Sequence, residues 1–186
     1  MNVIMNIIAL VGMPGSGKSE VARVFENNGF MRIRFGDITD EEVSRRGLLL
    51  TEENERLVRE DLRRVNGMAA YAKLNLPKIN IALNKSNVVL DGLYSWEEYI
   101  LLKSYYNEKL IVLAVYSSPK TRYNRLASRS VRPLTFTEAS ARDKAEIENI
   151  NKGGPIAMAD FTLVNESSTD NLKREAIKVI GLLNEC

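Results

Sequence analysis

The chain has 186 residues, 45% of them hydrophobic, which suits a single domain with a buried core and excludes the disordered and fibrous classes. Its 26 basic and 24 acidic residues leave a net charge of +2, so the balance argues against a nucleic-acid partner and makes any cationic function local. A single cysteine, Cys186, excludes an internal disulfide or a cysteine zinc site and fits a reducing compartment. No apolar run reaches the roughly 20 residues that span a bilayer, and the N-terminal stretch lacks signal-peptide grammar. These features predict a cytoplasmic protein with no membrane partner, in which the sequons at Asn84 and Asn165 are accidental.

Residues 3–11 form an apolar run ending at Gly12, which predicts a buried strand. The segment KSEVARVFENNGF follows, with Val21, Val24 and Phe25 at helical spacing and an Asn-Asn-Gly stop. FMRIRF (30–35) reads as a second strand. Thr39 with Glu42, Ser95 with Glu98, and Thr135 with Glu138 have the spacing of capping boxes, and Ser118-Pro119 that of an N-cap followed by proline; each predicts a helix. Residues 87–92, 109–117 and 160–166 supply three more strands, and NLKREAIKVIGLLNE closes the chain as a helix. Five strands alternating with helices predict an α/β domain over residues 1–186, its parallel sheet covered on both faces. Trp96, Tyr94, Tyr99, Tyr105 and Tyr106 fit the packing of a helix onto that sheet, with the lining of an acceptor pocket as the other reading.

Gly12, Gly17, Lys18 and Ser19 satisfy G-x-x-x-x-G-K-[ST], between a predicted buried strand and a predicted helix. In this pattern the loop of Gly12, Met13, Pro14, Gly15, Ser16 and Gly17 wraps one anion, the glycines letting successive N–H groups, all but that of proline, turn toward it, and the helix N-terminus adds further donors. Lys18 then holds the β and γ phosphates of ATP and the Ser19 hydroxyl ligates Mg2+. Such an ion needs an acidic partner at the end of a neighbouring strand, and Asp91 is the candidate. Asn84-Lys85 begins like a guanine motif, but its fourth position is Asn87 and it precedes the Asp91 strand, which argues against guanine. The segment RYNRLASRSVRP carries Arg122, Arg125, Arg129 and Arg132. On a helix starting at Pro119 the first three share a face, and guanidinium groups converging there would stabilise charge on a transferring phosphoryl group. Arg142 adds one more guanidinium or forms a surface pair with Glu146.

GMPGSGKSEVA, FGDITDEEVSRRG, VVLDGLYSWEEY, the arginine segment and ADFTLVNESS together resemble the adenylate kinase and dephospho-CoA kinase group of P-loop kinases, and most closely an archaeal family related to both. The resemblance spans nearly the whole chain. It implies a three-layer fold with sheet order 2-3-1-4-5, an acceptor-binding helical segment over about 37–80 and a short lid over about 122–142. It also implies that Arg45 and Arg63 face the acceptor's phosphate, that Asn165 lies near the adenine ring, and that Arg125 and Arg129 act from the lid. Asp37 resembles in position the catalytic aspartate of dephospho-CoA kinases, the base that a hydroxyl acceptor needs and a monophosphate does not; capping the next helix is its other reading. The chain has no histidine to share that role. Adenylate kinases usually carry an arginine shortly after the Asp-Gly of the third strand, where this chain reads DGLYS, and the lid has no zinc cysteines. The expected activity is ATP-dependent phosphoryl transfer to a small nucleotide-like acceptor, the alternative being a nucleotide-dependent switch or slow ATPase with an RNA or protein partner. The oligomeric state is left open.

Overall fold

The computed structural model describes residues 5–130 and 133–185. Arg132, Cys186 and the first residues of the expected 3–11 strand lie outside the described residues. The strands are β1 (Ile7–Val11), β2 (Met31–Arg34), β3 (Val88–Asp91), β4 (Leu110–Tyr116) and β5 (Phe161–Val164). The helices are α1 (Lys18–Asn27), α2 (Asp37–Arg45), α3 (Glu52–Asn66), α4 (Ala70–Leu83), α5 (Trp96–Tyr106), α6 (Pro119–Ala127), α7 (Phe136–Glu148), α8 (Gly153–Ala157) and α9 (Thr169–Glu185). The sheet is entirely parallel, with the expected order β2-β3-β1-β4-β5.

β1 explains why an unbroken apolar run belongs at the centre of such a sheet. Side chains alternate across a strand, so Ile7, Ala9 and Val11 enter one core while Ile8 and Leu10 enter the other. The first core is closed by α4 and α5 through Tyr71, Ile79, Tyr99 and Leu102. The second is closed by α1 and α9 through Val21, Phe25, Leu172 and Ala176. Each large side chain fully buried in these layers is worth about 1.5–3 kcal/mol, and both faces being covered fixes the strand ends that carry the site. The register sets Asp91 beside both Leu10 and Arg34, so the C-terminal ends of β1, β2 and β3 meet at one edge.

The helix caps expected from the sequence form with one exception. The capping boxes of Ser95 with Glu98 and Thr135 with Glu138 both form, and the Ser118 side chain caps α6 with Pro119 in its first turn. The box expected at Thr39 does not form: α2 begins two residues earlier, at Asp37, behind Gly36, with no side-chain cap. Thr39 is instead inside the helix and buried, its hydroxyl 2.6 Å from that of Tyr71. α4 contains Pro77, which cannot donate an N–H to the preceding turn; burial of Tyr71, Ala72, Ile79 and Ala82 holds the helix across it. Tyr99 and Tyr106 pack α5 inward as expected, Tyr106 donating to Asn80 at 2.9 Å. A smaller core of Tyr123, Leu126 and Ala139 joins α6 to α7. Among the described residues no helix is long and apolar enough to cross a membrane.

Candidate functional site

Between β1 and α1 the chain makes the turn that the glycine spacing predicts. Gly12, Gly15 and Gly17 have φ of 145°, 79° and 106°, values that side chains other than glycine rarely adopt. Space forbids a side chain as well. A Cβ on Gly12 would lie 2.4 Å from the Val115 carbonyl oxygen, and one on Gly17 would lie 2.4 Å from Asn165 Nδ2. The loop is thus wedged against the ends of β4 and β5. α1 starts behind Gly17 with no side-chain cap, leaving its first N–H groups for an anion. Ser16 Oγ is buried without a hydrogen-bond partner. Lys18 Nζ donates to the carbonyls of Gly12 and Met13 at 2.8 and 3.1 Å. These groups fit a phosphate: open N–H donors, an orphaned hydroxyl and an ammonium folded over the loop.

The electrostatics around Lys18 point the same way. Burial, then the nearby Lys152 ammonium, bring its pKa down to about 7, against the attraction of Glu146 and Asp91. An ammonium held at that edge gains most from an incoming anion. Ser19 is exposed at the first turn of α1, and Asp91, buried at the end of β3, accepts from Arg32 Nη2 through Oδ2. Among the described residues no group of three or more His, Cys, Asp or Glu could hold a metal unaided. A magnesium ion here would therefore draw on nucleotide oxygens and water, with Ser19 and Asp91 as the protein's share.

The arginine segment is the main departure from expectation. α6 ends at Ala127, so Arg129 lies beyond the helix and does not continue the face of Arg122 and Arg125. Arg122 is buried, paired to Asp143 of α7 at 2.8 and 2.6 Å and donating to the carbonyls of Pro14 and Ser117. Arg125 donates to Ser117 Oγ and to the backbone and side-chain oxygens of Asn165. Both guanidinium groups are engaged within the protein, bracing the loop and the strand ends behind it. Asn165, expected beside adenine, is buried with Nδ2 on the Ser16 carbonyl at 2.8 Å and Oδ1 taken by Arg125. It holds the loop from below. Arg129 remains on the open side, its pKa lowered by partial burial and by the charge of Arg142.

Of the two arginines expected to face an acceptor, the structure gives each a different setting. Arg45 is exposed and closed onto Glu42 at 2.6 and 2.7 Å, away from the loop. Arg63 is half-buried, its guanidinium 5.2 Å from the centre of the Tyr71 ring and its Nε without a partner. Tyr71 stacks edge-on with Tyr94, which in turn meets Phe35 and lies beneath the Lys152 ammonium at 5.4 Å. Asp37 is the first residue of α2 and accepts from Arg34 Nη1 at 2.9 Å; it caps nothing. Tyr94 covers Gly92, where a Cβ would meet its ring at about 2.8 Å. The DGLYS departure thus places a phenol over the end of β3.

Sequence reading missed Lys152 and Glu146 as charges acting on Lys18, and Arg32 as the partner of Asp91. Lys152 follows Asn151, whose φ of 50° is left-handed, and precedes Gly153-Gly154; a lysine set between such turn residues was the available signal. Glu146 is paired with both Arg142 and Lys152, so the Arg142 pair does form, but beside the site.

A family model described as an AAA domain matches residues 8–154. A UPF0200 protein of Thermococcus kodakarensis is 39% identical over 178 residues, covering 94% of this chain and 96% of the relative. Two solved structures share the fold. TT1252 from Thermus thermophilus has a TM-score of 0.68 at 21% identity, covering 97% of this chain and 99% of that one. Dephospho-CoA kinase from Campylobacter jejuni has a TM-score of 0.56 at 16% identity, covering 96% and 97%.

Proposed function

This chain belongs to the UPF0200 family and has a kinase-like P-loop fold, and we propose that it transfers the γ-phosphoryl group of ATP, with Mg2+, to a small nucleotide-like acceptor. The observation that carries the reading is the loop itself, where Lys18 Nζ lies on the Gly12 and Met13 carbonyls at 2.8 and 3.1 Å beside the uncapped start of α1. The N–H groups of residues 15–19 and Lys18 hold the phosphates; Ser19 and Asp91 serve the magnesium ion. Bound ATP supplies the transferable phosphoryl group. The protein's part is to position it and to place positive charge where negative charge builds up.

Roles on the periphery follow from what each side chain touches. Arg129 is the lid cation for the phosphates, whereas Arg125 and Asn165 position the loop from behind. Asp37 and Arg63 line the acceptor side, with Arg63 facing an anionic part of the acceptor and Asp37 taking the proton if the acceptor atom is a hydroxyl. Arg45 has no part in this reading. In this reading the activity is cytoplasmic.

The test is a panel of nucleoside monophosphates and dephospho-CoA, each incubated with labelled ATP. A labelled acceptor product is expected, with loss of that product in Lys18→Ala. One observation favours the second reading, a switch or slow ATPase with an RNA or protein partner: Arg122 and Arg125 are engaged within the protein. ADP formed with no phosphorylated acceptor across the panel would support that reading instead.

A further inference from the structure

We propose that Lys152 is a second phosphate-binding lysine of the nucleotide site, held by Glu146, which yields it to the terminal phosphate of a triphosphate. The proposal rests on the nucleotide reading above and adds a residue outside the loop motif.

Lys152 side-chain atoms are 3% exposed. A buried ammonium is costly without a counter-charge, and here its partners are the Glu146 carboxylate and the face of Tyr94. The backbone is shaped to send it inward. α7 ends at Glu148, Asn151 takes a left-handed φ of 50°, and the Lys152 N–H bonds back to the Glu146 carbonyl at 3.2 Å. Gly154 then lets α8 approach Trp96, where a Cβ would come within 2.6 Å of the indole.

Around Lys18 the cations Lys152 and Arg142 stand against the acids Glu146 and Asp91; Asp91 is paired besides with Arg32, which also meets Glu26, and Lys152 also acts on the Glu98 carboxyl. The two ammonium groups repel, and Lys152 acts on Lys18 more strongly than any other single charge. Glu146 answers Arg142 through one oxygen and Lys152 through the other, the two-pronged demand that a phosphate oxygen pair also meets. A triphosphate entering here would satisfy Lys18 and Lys152 together. Lys152 stands over Tyr94, on the β3 side of the loop, whereas Asn165 closes the β5 side. That location assigns it to the end of the phosphate chain facing the acceptor.

The test is calorimetric titration with a non-hydrolysable ATP analogue and with ADP, on wild type, Lys152→Met, Glu146→Gln and the double variant. Removing a charge-assisted bond of this kind costs about 10- to 100-fold in affinity. Lys152→Met should lose that much for the analogue and less than about 3-fold for ADP. Glu146→Gln, which removes the competitor, should bind the analogue more tightly. The double variant leaves neither buried charge alone and serves if Lys152→Met does not fold; it should show the same selective loss. Wild-type affinity for the analogue in a folded Lys152→Met or double variant overturns the proposal and leaves the nucleotide reading standing. Equal losses for analogue and ADP, or unchanged binding in Glu146→Gln, also overturn it. No binding of either nucleotide by wild type overturns both.

Discussion

Glu98 shows how one side chain serves structure at a cost that depends on pH. It completes the capping box of α5, with Oε2 accepting the N–H groups of Tyr94 and Ser95 at 2.8 and 3.4 Å, while Oε1 is buried without a partner. Burial raises its pKa from 4.5 to about 7, against the pull of these N–H groups and of Arg63. A carboxyl whose folded-state pKa is raised favours the folded state most when protonated. Its contribution is full below pH 4.5 and is lost as pH rises through about 7. Glu98→Gln keeps an acceptor for the two N–H groups and cannot ionise. Between pH 5 and pH 8 the wild type should therefore lose about 2.5 kcal/mol of stability relative to the variant, read as the difference between two denaturant titrations. Parallel pH profiles would contradict this assignment.

Elements decide which residues are free to act, and here the sequence is legible only in part. The loop motif, the parity of β1 and two of the three capping boxes are local patterns, so residue spacing reveals them. Arg122, Arg125 and Asn165 could not be assigned that way, because their partners, Asp143, Ser117 and Ser16, come from other elements. α4 is similarly obscured: Pro77 reads as a breaker, while the burial that overrides it comes from β-strands elsewhere in the chain. Thr39 has the spacing of a cap, but the strand-to-helix turn at Gly36 starts α2 before it. The Arg122–Asp143 pair, with Arg122 also on the Pro14 carbonyl, ties α6, α7 and the phosphate loop together. Breaking a buried pair by removing one partner costs about 3–5 kcal/mol. Arg122→Met should lower stability by that amount, and adding Asp143→Leu should recover most of it, as measured by chemical denaturation. A double variant no more stable than the single one would contradict this view of the junction.

Across the whole molecule, one parallel sheet gathers the ends of β1, β2 and β3 at one edge and sets the phosphate loop, Asp91 and Asp37 around it. Strands that alternate with helices predict a parallel sheet, whereas its order is what the resemblance to P-loop kinases implies, and the structure shows both. The proposed acceptor side is less legible because Asp37, Arg63, Tyr71 and Tyr94 come from α2, α3, α4 and the turn after β3 and meet only in three dimensions. Everything proposed for the site depends on its holding a nucleotide's phosphates. The most direct measurement is the thermal stability and binding heat of the wild-type protein titrated with ATP and Mg2+, beside Lys18→Ala. The account predicts saturable heat and a stabilisation of about 2.7 kcal/mol once ligand reaches a hundred times its Kd, both lost in the variant. No heat and no stabilisation of the wild type at millimolar ATP would contradict it.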